Sequence, residues 1–325
     1  MNYESIKVSV LVPVYNVETY VARCVDSLFS QDFNNIEFIF VDDCSKDNSI
    51  EKILNRLANY PGRVNQVKVL TNDVNLGSGA TRRKALLAAT GDYVMWVDSD
   101  DWLENNSVIS EFVKAAINNN ADIVIGNHYY TTTARQIPHP VKFRNKQQYL
   151  YDTLVREPRC AVSLWNKLIK IELHLQFVPI CGLNFGEDYA ILPRLVAKSQ
   201  KIVHISIYSY NYWQGNPNSY VRNISEQSFS DMVKAIEILQ NFFNNPIYNL
   251  PEKTLVAARN RTKALLLSRL RGNLRNSAKN LWPGDKIVLN RKETDYWILY
   301  FAKYKLLFII DGLSRTIKTL KRFKA

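Results

Sequence analysis

Two regimes of hydrophobic patterning divide the chain. Up to about residue 126, short apolar runs alternate with stretches whose apolar positions recur at helical spacing. The runs Val8–Pro13, Ile36–Val41, Val67–Thr71, Tyr93–Val97 and Asp122–Gly126 predict strands. Between them, Tyr20–Phe29 places Val21, Val25, Leu28 and Phe29 on one helical face. Ser49–Leu57, Gly79–Ala89 (stopped by Gly91) and Ser107–Ile117 predict further helices. Strand and helix alternating at this spacing imply βαβ units, so the expected class is α/β, a mostly parallel sheet flanked by helices. After Asn127 the pattern blurs, although Tyr208–Trp213 reads as an aromatic strand. The polar loop that follows, ending at Ser219, would close over a site at the sheet edge. From Glu226 the pattern is helical almost throughout, with the boundary placed at Gly215–Asn223. Two domains are expected: 1–220 as the α/β unit and 221–325 as a helical extension.

Charge sharpens that division. Residues 1–225 carry 23 Lys and Arg against 22 Asp and Glu, whereas residues 226–325 carry 19 against 8. The α/β part is balanced and the last third is cationic. Within it, Leu306, Ile309, Ile310, Leu313, Ile317 and Leu320 fall near helical spacing among Arg315, Lys318, Lys321, Arg322 and Lys324. Such a helix either lies on an anionic membrane surface or packs, solvated, on the rest of the protein; both readings stay open. Each basic residue near such a surface contributes about 1 kcal/mol. A nucleic acid partner is not expected, because a basic stripe without a recognition motif is not a binding signature. No apolar stretch reaches the ~18 residues of a bilayer span, and no secretory signal is read at the start. Cysteines 24, 44, 160 and 181 show no C-x-x-C spacing, which fits a reducing cytosol better than a zinc site.

Carboxylates gather where the predicted strands end. Asp42 and Asp43 follow the second strand; Asp98, Ser99, Asp100 and Asp101 follow the fourth. Right-handed crossovers bring both ends to one edge, the place where open α/β sheets bind ligands. Asp98 and Asp100, spaced D-x-D, are able to share one divalent cation and through it a diphosphate. With 17 Asp in 325 residues, about one D-x-D arises by chance, so the motif gains value only from the strand before it. Asp47 and Asp101 are read either as ligands or as turn caps. The segment Asn75–Arg82 lacks the third Gly of a dinucleotide fingerprint and follows the wrong strand. No P-loop is present, and Pro13-Val14-Tyr15 is not the Gly-rich loop of a sugar-phosphate nucleotidyltransferase. With no Gly-rich cradle, a bound diphosphate needs a metal ion.

Val8–Asn16 (VSVLVPVYN), Val41–Ser49 (VDDCSKDNS), Asn75–Arg82, Gly91–Trp102 (GDYVMWVDSDDW) and Gly186-Glu187-Asp188 resemble, in order and spacing, family 2 glycosyltransferases of the GT-A fold, as found in bacterial surface-polysaccharide and lipooligosaccharide synthesis. The likeness covers roughly residues 6–215. It implies that Pro13, Val14, Tyr15, Asn16, Asp42 and Asp43 line the nucleotide, with Pro13, Tyr15 and Asp43 on the base. Arg82, Asp98 and Ser99 would face the rest of the sugar nucleotide. Asp100, ahead of Asp98, would hold Mn2+ or Mg2+, and Asp188 would be the catalytic base. One departure is Cys44, where Gly is commoner; a tight turn tolerates it.

These assignments agree with the chemistry. A tyrosine face suits a uracil ring, and a carboxylate accepts its imide N–H more strongly than a neutral group. One carboxylate suffices to take the acceptor proton, and attack opposite the leaving group inverts the anomeric centre. Trp165-Asn166-Lys167-Leu168 resembles segments of polysaccharide-building members, so Trp165, Lys167 and Glu187 are acceptor-binding candidates. The plainer reading of that segment is a helix with Trp165 buried and Lys167 exposed. His204 is read as a further metal ligand or, more plainly, as a structural residue. The expected activity is inverting, metal-dependent transfer of a hexose or N-acetylhexosamine from a UDP-sugar to a hydroxyl of a surface glycan or lipid-linked oligosaccharide. The expected location is the cytoplasm, peripheral on the inner face of the membrane. The alternative is a non-catalytic glycan-binding or assembly subunit with this fold.

Overall fold

The computed structural model describes residues 3–157, 160–217, 225–304 and 306. The chain forms two compact units, residues 1–153 with 157–219, and residues 154–156 with 220–325.

In the first unit, the β-branched runs become β1 (Val8–Val14), β2 (Ile36–Asp42), β3 (Val67–Thr71) and β4 (Tyr93–Trp96). β1 and β2 are almost wholly buried, as strands covered on both faces must be. All four are parallel, with Val8 opposite both Ile36 and Tyr93. Helices α1 (Val21–Phe29), α2 (Ser49–Leu57) and α3 (Ser78–Ala88) connect them. Phe29 on α1 packs edge-on against Phe38 and Phe40 of β2, a geometry that aromatic quadrupoles favour.

Beyond β4 the sheet departs from a simple doubly wound order. A two-residue strand β5 (Trp102–Leu103), α4 (Val108–Asn119), the long β6 (Ile123–Thr131), β7 (Gln136–His139) and α5 (Lys146–Val155) follow in turn. Then come β8 (Lys167–Lys170), α6 (Ile171–His174), α7 (Glu187–Lys198) and β9 (Ile202–Trp213). The strand order is β3-β2-β1-β4-β8-β6-β9-β5, with β7 on β6. β8 inserts antiparallel between β4 and β6, so the fifth predicted strand does not neighbour the fourth. Trp165-Asn166-Lys167-Leu168 therefore leads into a strand, not a helix. Because β1, β2 and β4 run in parallel and nearly in register, their carboxyl ends share one edge. The antiparallel β8 starts at that same edge, pairing Leu168 with Met95.

The second unit is helical: α8 (Glu226–Phe243), α9 (Glu252–Arg269), α10 (Gly272–Asn280) and α11 (Thr294–Lys303). A capping box between Ser225 and Ser228 starts α8. Arg259 of α9 makes a forked pair with Asp285 at 2.6 and 2.7 Å, and Arg261 bridges Glu293 and Asp295. Part of the cationic excess is thus already paired within this unit. No helix among the described residues is long and apolar enough to cross a membrane. The expected basic helix Leu306–Lys324 lies, after Leu306, outside the described residues.

Candidate active site

The loops after β1 and β2 are stapled together by the side chains the motifs supply. Asn16, in left-handed conformation, accepts at 2.8 Å from the Lys46 amide and donates its own amide to Ser45 Oγ. Asp47 accepts from the amides of Glu18 and Ser49, and Ser49 Oγ accepts from the Val17 amide. Asp47 is therefore a loop staple. Asp42, buried, caps the Ser45 amide at 3.1 Å and so serves as a turn former. Val14 is likewise buried and offers only its carbonyl, which accepts from the Asp43 amide. Pro13 is half-buried beside it, while the ring of Tyr15 stands 45% exposed at the edge.

Asp43 is the joint between this edge and α3. Its carboxylate accepts from Asn72 Nδ2, the Leu76 amide and the Gly77 amide, each at 2.8 Å. Three of roughly four acceptor positions are filled, leaving one direction for a ligand donor. Gly77, with φ +83°, turns the chain into α3 under this cap. The start of α3 is then fixed on the loop before α7. The Gly79 amide donates to Asn184 Oδ1, and Ser78 Oγ donates to the Asn184 carbonyl.

Arg82, one turn into α3, is buried and centres the acidic cluster. Its Nη2 donates to Asp98 Oδ1 at 2.6 Å, and its Nε lies 3.4 Å from Glu187 Oε1. Burial works against its charge, but Asp98, Asp188 and Glu187 together outweigh that and hold it firmly protonated. One guanidinium cannot neutralise three acids. Burial and Asp188 push Glu187 up to about 8, its link to the cation being longer than that of Asp98. Glu187 is therefore a partner of Arg82 at the base of the cluster, and no acceptor role follows from its contacts. Burial also raises Asp188, opposed by Arg82. Asp188 Oδ2 accepts from the Leu164 amide at 3.1 Å, whereas the buried Oδ1 has no hydrogen-bond partner.

The D-x-D loop differentiates its members. Asp98 pairs with Arg82, and Ser99 is buried. Asp101 is wholly buried, accepting from Tyr210 Oη at 2.8 Å and the Trp213 amide at 2.6 Å, so it is structural. Asp100 Oδ2 accepts from Asn216 Nδ2 at 2.8 Å. Burial and the neighbouring Asp98 push Asp100 upward, the condition of a carboxylate short of positive charge. Among the described residues, no three His, Cys, Asp or Glu side chains converge as a metal cage. Two hard oxygen donors fit a divalent Mg2+ or Mn2+ that takes its remaining ligands from diphosphate and water.

Three expectations are corrected here. Lys167 is fully buried and its Nζ donates to Ala161 O, Ser163 O and Asn166 Oδ1, which uses all three ammonium protons and leaves none for a phosphate. Trp165 is buried, stacked on Tyr210 at 4.4 Å and Tyr212 at 5.5 Å, so its faces are taken by protein rings instead of a sugar. His204 shares a hydrogen bond with Asn127 Oδ1 at 2.9 Å and belongs to the β6–β9 pairing, not to a metal shell. Sequence reading passed over Asn72 and Arg23, and placed Tyr210 in the aromatic strand and Asn216 in the loop after it without giving either residue a role of its own. Asn72 directly follows β3 and was accessible to the strand-end rule. Arg23, whose guanidinium lies 3.4 Å from the Trp102 ring and bonds the Asp100 carbonyl, carried no such signal.

Comparison with known proteins bears on this arrangement. Residues 9–170 match the model of glycosyl transferase family 2. The chain is 31% identical over 223 residues to glycosyltransferase GlyA of Streptococcus pneumoniae, covering 65% of this chain and 31% of GlyA. It is 24% identical to the Escherichia coli UDP-Glc:alpha-D-GlcNAc-diphosphoundecaprenol beta-1,3-glucosyltransferase WfgD, covering 74% of this chain and 88% of that one. The chain spans less than two thirds of the length of the first curated relatives it matches. Among solved structures, Staphylococcus aureus TarS 1-349 in complex with UDP-GlcNAc superposes with a TM-score of 0.59 at 18% identity, covering 97% of this chain and 92% of that one. At that identity the likeness shows the fold, which is the GT-A fold expected from the motifs.

Proposed function

Because the chain carries a family 2 glycosyltransferase domain over residues 9–170, we propose that it transfers a hexose or N-acetylhexosamine, with inversion, from a UDP-sugar to a hydroxyl of a surface glycan or lipid-linked oligosaccharide. The observation that carries this reading is the unpartnered Oδ1 of Asp188, buried in a cluster whose cation, Arg82, is already paired to Asp98. A general base needs an acceptor atom that the fold leaves uncommitted, and a pKa raised toward the working pH. Asp188 has both. The crystallised complex of TarS with UDP-GlcNAc and the UDP-Glc in the name of WfgD support a UDP-sugar; the diphosphoundecaprenol in that name supports a lipid-linked acceptor.

In this reading the exposed ring of Tyr15 stacks on the uracil, and Asp43 accepts the imide N–H through its one remaining direction. Asp188 Oδ1 takes the proton of the acceptor hydroxyl as that oxygen attacks the anomeric carbon from the face opposite the departing UDP. Arg82 stays protonated and holds Asp98 and Glu187 in place. Asp100 and Asp98 would hold Mn2+ or Mg2+, which when bound stabilises the charge growing on the leaving diphosphate. The cationic second unit would bring the enzyme to the anionic cytoplasmic face of a membrane, where lipid-linked acceptors sit.

UDP release, measured with acceptor present, tests the assignment. Asp188→Asn keeps an oxygen for the Leu164 amide but loses the base, so turnover should fall about 10²–10⁴-fold with UDP binding retained. Undiminished turnover would remove Asp188 from the role. Asp100→Ala that abolishes manganese dependence without slowing the reaction would remove the metal role.

A further inference from the structure

Tyr210 lies in β9, far along the chain from the D-x-D loop, yet it contacts both that loop and Trp165, in the segment behind Asp188. Its side chain is fully buried. Its Oη accepts from the Asp98 amide at 3.0 Å and donates to Asp101 Oδ2 at 2.8 Å. The other Asp101 oxygen accepts from the Trp213 amide, so the carboxylate is held from two points of β9. The ring of Tyr210 stacks on Trp165 with centroids 4.4 Å apart and planes 15° apart. Trp165 directly follows Leu164, whose amide donates to Asp188 Oδ2. One side chain thus supports the acidic loop through its hydroxyl and the segment behind the base through its ring.

We propose that Tyr210 is a positioning residue that sets the distance between the Asp98–Asp100 pair and the free Asp188 oxygen. The hydroxyl orients the donor side and the ring orients the acceptor side. This deepens the transferase reading and rests on it for the roles of those aspartates; the mechanical link itself rests on contacts alone. Buried phenols are usually hydrogen-bonded for stability, and that by itself predicts a global effect. Positioning predicts two separable local ones.

The test compares Tyr210→Phe, which keeps the ring, with Trp165→Leu, which keeps the hydroxyl. Hydrogen–deuterium exchange and manganese-dependent UDP binding are followed in both, with glycosyl transfer alongside. In Tyr210→Phe, exchange should rise in peptides spanning 97–103 and not in 161–167. Half-saturating manganese for UDP binding should rise about tenfold, the loss expected for one or two buried hydrogen bonds. In Trp165→Leu the exchange pattern should reverse, and kcat should fall with the KM for the UDP-sugar within about twofold. Unchanged exchange at 97–103 in Tyr210→Phe, or an equal rise throughout the unit in both variants, would overturn the proposal. If the parent protein bound no UDP at all, the transferase reading would fail, while the exchange pattern would still decide whether Tyr210 links the two segments.

Discussion

Cys44 offers a sharp test of how the base-binding edge is built. It sits between Asp43 and Ser45 with φ +61°, a conformation in which a Cβ crowds the following carbonyl. That crowding costs about 1–2 kcal/mol for a non-glycine residue. Glycine removes it, but its freer unfolded chain takes back about 0.5–1 kcal/mol. The side chain contributes little in return: it is partly exposed, and its one polar contact is Lys46 Nζ at 3.2 Å from the sulfur. Cys44→Gly should therefore stabilise the protein by about 0.5–1 kcal/mol, raising the melting temperature by roughly 1–4 °C. Cys44→Ala is the control, since it removes the sulfur and keeps the strained Cβ; its stability should match the parent. Urea unfolding followed by tryptophan fluorescence gives the difference in midpoint. UDP binding should stay within about twofold in both variants, because Asp43 is held by Asn72, Leu76 and Gly77, not by the strain. A glycine variant no more stable than the alanine one would show that the turn stores no such energy.

Gly79 sets the spacing between α3 and the loop that leads into α7, whose first turn holds Asp188. A Cβ there would lie 2.4 Å from the Ile180 carbonyl oxygen and 2.5 Å from that of Leu183. Gly79→Ala should therefore displace the loop, destabilise by about 1–3 kcal/mol and lower kcat by about 10²-fold; a variant with full activity would show that the contact yields freely. For Glu187, burial and Asp188 raise the folded carboxyl from 4.5 to about 8. The fold thus favours its protonated form, a contribution complete below about pH 4.5 and lost as the pH rises through about 8. Glu187→Gln stays neutral, so its stability should fall less than the parent's between those limits. Parallel stability–pH curves for the two proteins would refute this.

Much of the site was legible because its information is local. A β-branched run followed by carboxylates announces a strand end, and parallel strands place such ends together; Asp43, Asp98 and Asp100 were found that way. The family resemblance also marked Cys44 as unusual. Local reading did not reveal that the strand holding Leu168 lies antiparallel between β4 and β6, since strand neighbours depend on partners distant in sequence. For the same reason Trp165 and Lys167 looked available to a ligand. Burial is decided by what packs above a residue, and here Tyr210 and Tyr212 cover one while three oxygens surround the other. The chain by itself thus settled which chemical groups exist and roughly where strands present them. Tertiary structure alone decided which carboxylates are spent on backbone amides, which share the Arg82 charge, and that one oxygen of Asp188 is left over. Hydrogen bonds and charge pairing act over a few ångströms of space, and no pattern along a sequence measures that distance.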